Sequence, residues 1–262
     1  MEIIHFEHVN VAYDEQDVLH DINLSIKEGQ HTVILGANGS GKSTLLKLFS
    51  NDIYPRFSEA SIKEVFGKKV WDIWELKKHL GIITNDLHYQ FSDRAPNLSG
   101  FEVTLSGFYS SFHIYEHQEF SPLHVTKVEE VLDFLEIRHL RDKHISEMST
   151  GELRKCIIAR SLVHEPKAMI LDEPTVGLDI KAQLNFIEMI RKIATQRTII
   201  LVTHHLEEIF EEISQVVLIK QGCIVAQGEK EALLNDAQLS AIFDLPLHVK
   251  CEKGRYFVQS VG

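Results

Sequence analysis

Cysteine is scarce in this chain: Cys156, Cys223 and Cys251 are the three among 262 residues. An odd count without paired spacing excludes a disulfide framework and reads as a protein of a reducing compartment. Positive charge is also in deficit, with 27 Lys and Arg against 38 Asp and Glu and a formal net charge of −11. Proteins that work on DNA or RNA present a basic face, because phosphate contacts need Lys and Arg; nucleic acid is therefore not expected as a partner. Long apolar runs are missing too. The longest, such as TIILV and VVLI, fall far below the ~18–20 residues that span a bilayer. The opening MEIIHFEHVN has neither the basic start nor the apolar stretch of a secretion signal. The expectation is a cytoplasmic chain that does not cross a membrane itself, with docking onto a membrane protein left open. No repeat or low-complexity tract is present.

What remains is an ordinary globular balance, 44% hydrophobic and 25% charged, sufficient to bury a core. The length suits one large domain, or one domain carrying an insertion. Strand-like patterning occurs near residues 3–6, 22–26, 31–35, 61–66 and 81–84, with helical spacing at 43–49 and around 72–79. From about 98 to 162 the pattern turns helical. Strand-like runs return at 167–171 and 198–203 around a helix at 180–194, an alternation that argues for a mostly parallel sheet with crossover helices. A hairpin is expected at Gln221-Gly222, a helix near 238–243 and a second hairpin around Lys253-Gly254. The helical block interrupts the α/β pattern and so reads as an insertion.

Residues 36–44, GANGSGKST, fit G-x-x-x-x-G-K-[ST] between a β-rich run and a helix. Glycines let the backbone wrap so that its amides face phosphate oxygens, and the helix start adds partial positive charge. Gly36, Asn38, Gly39, Ser40 and Gly41 form the loop. Lys42 is placed to reach the β- and γ-phosphates, Ser43 to ligate Mg2+, and Thr44 to donate to the α-phosphate. AMILDE at 168–173 ends a buried strand on Asp172, a Mg2+ candidate through water, and Glu173, which is placed to polarise an attacking water. STGE at 149–152 has two readings: an anion site at a helix tip, or a plain capping box formed by Ser149 and Glu152.

Taken in order, GANGSGKST, MSTGELRK, AMILDEPTVGLD and LVTHHLEEI resemble the nucleotide-binding domain of ABC ATPases, from about residue 3 to about residue 227. The resemblance implies an α/β phosphate-loop NTPase fold of the RecA-like kind, with an antiparallel β part on the N-terminal side and a helical subdomain inserted at about 86–162. Residues 1–227 would be the ATPase domain and 228–262 a helix-and-hairpin extension. It implies ATP and Mg2+ as ligands, Tyr13 as the ring that stacks on adenine, and His204 as the histidine that meets the γ-phosphate. Ser149, Thr150, Gly151 and Glu152 would be the signature that reaches the ATP of a partner subunit, and Asp179 would belong to the D-loop. The expected assembly is a homodimer or paired cassette, set peripherally at the inner face of the cell membrane on a transmembrane subunit.

Two positions depart from the family pattern. The signature reads MSTGE where LSGGQ is usual. Asn85 stands where the family places a glutamine that ligates Mg2+ and couples to the membrane partner, and Asn is one methylene shorter. A soluble ABC ATPase with a role outside transport, such as iron–sulfur assembly, is the alternative function. A GTPase is disfavoured because no N-K-x-D is present. Aromatics of the helical block, among them Tyr89, Phe91, Phe108, Phe112 and Tyr115, would form either its core or a docking surface. Residues 206–213, LEEIFEEI, read as an amphipathic helix with a wet glutamate face.

Overall fold

A computed structural model describes residues 1–261. In chain order the elements are β1 (Glu2–Tyr13), β2 (Gln16–Lys27), β3 (Thr32–Leu35), α1 (Lys42–Phe49), β4 (Ile62–Val65), α2 (Ile73–His79), β5 (Leu80–Ile83), α3 (Asn85–Arg94), α4 (Gly100–Leu105), α5 (Pro122–Phe134), α6 (Thr150–Leu162), β6 (Ala168–Asp172), α7 (Ile180–Ala194), β7 (Thr198–Thr203), β8 (Gln215–Lys220), β9 (Cys223–Glu229), α8 (Lys230–Leu233), α9 (Asp236–Phe243), β10 (Leu247–Glu252) and β11 (Arg255–Val261). The chain divides into two compact units, Met1–Leu76 with Ala194–Gly262, and Lys77–Ile193. The second takes β5, β6 and α7 together with the helical block, and residues 228–262 fall in the first.

In the first unit, β1 pairs antiparallel with β2 on one edge and β4 on the other. Both long strands run 12 residues, further than their alternation suggests. The cause is irregular register: His8 (φ 49) and Asp21 (φ 46) adopt left-handed backbone, and the pairing slips between Phe6 and Val9 and again before Val11. A bulge resets the period-2 phase, so the pattern breaks while the ladder continues. The Asn23 and Asn10 side-chain oxygens accept the His8 and Asp21 amides at 3.0 and 2.8 Å. Phe6 packs on Phe49 of α1, ring centroids 5.7 Å apart.

Beside this sheet, β3 (TVIL) is buried at all four residues and lies parallel between β7 and β8. A strand covered on both faces reads as a continuous apolar run. Leu35 pairs with Thr203, so Gly36 and His204 leave the sheet side by side at strand carboxyl ends, where sheets of this type bind ligands. The Gln221-Gly222 turn joins β8 to antiparallel β9. The β10–β11 hairpin turns at Lys253-Gly254.

Residues 206–213 are not the amphipathic helix expected. A single 3-10 turn spans Leu206–Glu208, and the chain leaves it extended at Ile209 (φ −77, ψ 105). Apolar positions three and four apart are met equally well by successive tight turns, and Leu206, Ile209, Phe210 and Ile213 are all buried. Glu208 is buried with them, at 3% exposure.

In the second unit β5 and β6 are parallel, Leu80 opposite Ala168 through Ile83 opposite Leu171. The aromatics of the helical block divide: its phenylalanines are buried or half-buried and its tyrosines are exposed. Phe91 is fully buried against Phe112, centroids 5.2 Å apart, and Phe108 stacks on His124 at 4.2 Å. Tyr89 and Tyr115 are exposed. No helix among the described residues is long and apolar enough to cross a membrane.

Candidate functional site

The loop at 36–41 is shaped by its glycines. Gly39 (φ 77) and Gly41 (φ 106) hold left-handed backbone, which L side chains disfavour. A Cβ on Gly36 would stand 2.3 Å from the Ile219 carbonyl oxygen, and one on Gly41 2.8 Å from Leu19 Cδ2. The cradle has room for main chain alone. Gly41 then caps α1 with no side-chain hydrogen bond, and the first turn holds no acidic residue. By contrast α3, α4, α5, α6 and α9 each cap their first turn with a Thr, Ser or Asn side chain. A helix start presents amide donors and partial positive charge, and at α1 these are left for an anion.

The Lys42 Nζ lies along the loop, donating to the Gly36 and Ala37 carbonyls at 2.8 and 3.0 Å. The Ser40 Oγ is buried without a hydrogen-bond partner, an orphan that a water or a polar ligand would satisfy. Asn38 and Ser43 are exposed and Thr44 is buried. Tyr13, at the end of β1, keeps 40% of its surface exposed. Lys47 of α1 sits 5.8 Å from its ring centroid, within cation–π range. That places an open aromatic face beside the helix that follows the loop. His204 is half-buried, its ring 3.9 Å from that of the exposed His205; the His205 amide bonds Thr203 Oγ1. All of these residues belong to the first unit.

The second unit carries the acidic residues and the STGE tip. Asp172 ends β6, and Glu173 follows with φ 45. Left-handed backbone costs a non-glycine residue about 1–2 kcal/mol, and such strain clusters at functional positions. The chain then turns through Val176 N–H to Glu173 O (3.3 Å) and Leu178 N–H to Thr175 O (3.1 Å). Asp179 Oδ1 accepts the Ala182 amide at 2.8 Å, so this residue caps α7.

At the STGE tip the capping box is formed. Ser149 Oγ accepts the Glu152 amide (3.3 Å) and Glu152 Oε2 accepts the Ser149 amide (2.8 Å). Lys143 Nζ donates to both Glu152 oxygens, at 2.9 and 2.8 Å. Burial pushes the Glu152 carboxyl up, but the Lys143 ammonium and the Ser149 donors outweigh it and hold the group below its ordinary value. Capping does not exclude the anion reading. The Glu152 amide uses a lone pair of Ser149 Oγ, and the hydroxyl proton, which turns to the Glu152 carboxylate, can rotate to an anion instead. Ser149 and Thr150 are exposed. A Cβ on Gly151 would meet Leu178 and Ala182 only at 3.6 and 3.8 Å, so among the described residues none requires glycine there.

Asn85 opens α3, and its Oδ1 accepts from Arg154 Nη2 at 2.9 Å. Arg154, which the sequence patterns did not single out, is 5% exposed. Its Nη1 also donates to the Val176 carbonyl at 3.0 Å and to that of Pro174. The signal was present: Arg154 lies three and four residues before Ile157 and Ile158, on the buried stripe of α6. Beside it His88 is held below its usual value by burial and by the Arg154 charge, against a hydrogen bond with the Thr150 backbone.

The two residues expected to serve Mg2+ are a hydroxyl in the first unit, Ser43, and a carboxylate in the second, Asp172. Among the described residues no group of three or more His, Cys, Asp or Glu is placed to hold a metal. A magnesium ion carried in on substrate phosphates needs only one or two protein ligands and keeps waters for the rest, so the residues fit that use.

A glycine loop opening an uncapped helix, with a lysine along it at strand carboxyl ends, defines a phosphate-loop α/β protein. The family model described as ABC transporter matches residues 19–176. An ABC transporter ATP-binding protein of Bacillus subtilis, YlmA, is 32% identical over 263 residues, covering 98% of this chain and 96% of its own. Among solved structures, cbiO1 from Clostridium perfringens, part of the ABC transporter complex cbiONQ, has a TM-score of 0.76 at 27% identity, covering 92% of this chain and 93% of its own. A bacterial ABC transporter cassette solved as a dimer has a TM-score of 0.69 at 24% identity over 86% of this chain and 98% of its own. This chain belongs to the ABC transporter ATP-binding proteins.

Proposed function

We propose that the protein binds Mg-ATP on the 36–44 loop and hydrolyses the β–γ phosphoanhydride in a head-to-tail pair of cassettes, energising a separate transmembrane subunit from a peripheral position at the inner face of the membrane. The observation that carries this reading is the α1 start: glycine-led, too tight for side chains, without a cap or an acid, and with Lys42 along it. Tyr13 stacks on the adenine. The loop amides and Lys42 take the phosphates, and Thr44 donates to the α-phosphate. Ser43 and Asp172 would hold Mg2+, which when bound would neutralise phosphate charge. Asn85 is left out of the metal set because its Oδ1 accepts from the Arg154 guanidinium, whose positive charge opposes a cation at the same oxygen.

Glu173 orients the attacking water by accepting a hydrogen bond from it at its carboxylate, and takes its proton as the water oxygen bonds to the γ-phosphorus and the bond to the β–γ bridging oxygen breaks to release ADP. His204 donates to the γ-phosphate, where charge accumulates in the transition state. Ser149 Oγ–H and the first amides of α6 come from the second copy, with Asp179 in the loop that follows Glu173. The test is steady-state ATPase with nucleotide binding measured separately. Lys42→Ala loses binding. Glu173→Gln retains ATP affinity while turnover falls at least about 100-fold, the scale of a lost general base. Wild-type turnover in Glu173→Gln would remove Glu173 from its role, and co-purification with a polytopic membrane protein tests the transport partner.

A further inference from the structure

Resting on that reading of Glu173, we propose that Arg154 is a positioning residue that fixes the Glu173 turn against the tip of the STGE helix. One guanidinium joins three chain segments: Asn85 at the start of α3, the Pro174 and Val176 carbonyls just after Glu173, and α6 itself, one turn from Ser149. Asn85 follows β5 within two residues and Glu173 follows β6 directly, and these strands are paired in register from Leu80–Ala168 to Ile83–Leu171. The arginine therefore ties together the carboxyl ends of two neighbouring strands.

The need for such a tie is physical. Glu173 sits at φ 45, and a left-handed non-glycine persists only where its surroundings over-determine it. Carbonyls one and three residues downstream, both held by the same planar fork, supply that constraint. The fork also explains why arginine is used. Its donors lie in fixed directions, whereas a lysine ammonium is a point charge on a flexible stem. Burying the charge at 5% exposure is tolerated because carbonyl and amide oxygens surround it. An anion docking at Ser149 and Thr150 thus touches a helix that is hard-wired to the turn carrying Glu173.

The experiment compares Arg154→Lys, Arg154→Met and Asn85→Ala with wild type in two assays. In steady-state ATPase, Arg154→Met lowers kcat at least about tenfold, since misplacement of a reacting group by an ångström costs on the order of 100-fold. KM for ATP stays within about twofold, a split expected when ground-state binding is untouched, because the loop that grips ATP is elsewhere. Arg154→Lys recovers part of the rate. In hydrogen exchange on nucleotide-free protein, amides of 173–179 and 85–88 exchange faster in Arg154→Met, and those of 85–88 in Asn85→Ala, while β3 and β7 keep their protection. Unchanged kcat, a rise in KM alone, or uniformly faster exchange through the whole chain would each overturn the proposal. If wild type itself hydrolyses no ATP, the reading of the enzyme fails, and the exchange pattern alone still decides whether Arg154 holds the turn. If Arg154→Met does not fold, the lysine and Asn85→Ala variants carry both assays.

Discussion

Two glycines of this protein answer to different neighbours. At Gly36 an added methyl would collide with the Ile219 carbonyl at 2.3 Å and Ser40 Oγ at 2.7 Å, and a backbone oxygen of a central strand cannot step aside. Gly36→Ala is therefore expected to distort the loop and lose nucleotide binding. At Gly151 the nearest atoms are at ordinary contact distance, and the residue lies in the first turn of a helix, where alanine is preferred over glycine by up to about 1 kcal/mol. Gly151→Ala should leave the thermal midpoint unchanged or raise it. If its smallness serves a γ-phosphate on a second copy, the same variant should nonetheless lose most of its ATPase activity. A melt and a turnover assay on one preparation decide this, and a variant both stable and fully active would take Gly151 out of the partner site.

The helix that starts at Thr150 opens on a local device whose stability depends on pH. Its capping box contributes about 1 kcal/mol, and the Glu152 half of it is charged. Since the folded state holds the Glu152 carboxyl below its ordinary value, the unfolded chain binds this proton more readily. The contribution is complete above the unfolded value, about 4.3, and is lost as pH falls from there through the lowered folded value. Wild type should therefore exceed Glu152→Gln in stability at neutral pH, and the gap should close in acid below about pH 4. Melts across that range check the sign; a gap that widens in acid would contradict it.

Elements of this kind were legible in the sequence where one local rule decided them. The box at 149–152, the loop at 36–44 and the hairpins at Gln221-Gly222 and Lys253-Gly254 all depend on residues close together in the chain. Bulges hid half of β1 and β2, because their phase resets at His8 and Asp21. Tight turns imitated a helix at 206–213. Arg154 was hidden for another reason: its partners lie 69, 20 and 22 residues away, and only folding brings them to it.

At the scale of the molecule, charge bears on how two copies would meet. A net charge of −11 on each chain opposes self-association, and bound Mg-ATP adds further negative charge to the same faces. Nucleotide must therefore bring short-range contacts strong enough to overcome a long-range repulsion. These two terms respond differently to salt. At about 0.01 M ionic strength the Debye length is about 30 Å and the repulsion acts across the whole interface; near 0.15 M it is about 8 Å. In the proposed pair, close hydrogen bonds from helix amides and Ser149 to a phosphate, shielded from water, would be screened much less. The dimer of Glu173→Gln formed with ATP should thus strengthen as salt rises through this range, and no dimer should form with ADP, which lacks the phosphate that the second copy would grip in the proposed pair. Sedimentation at matched protein concentration measures both. A dimer that dissolves as salt rises over the same interval would mean that opposite charges, and not a shared γ-phosphate, hold the copies together.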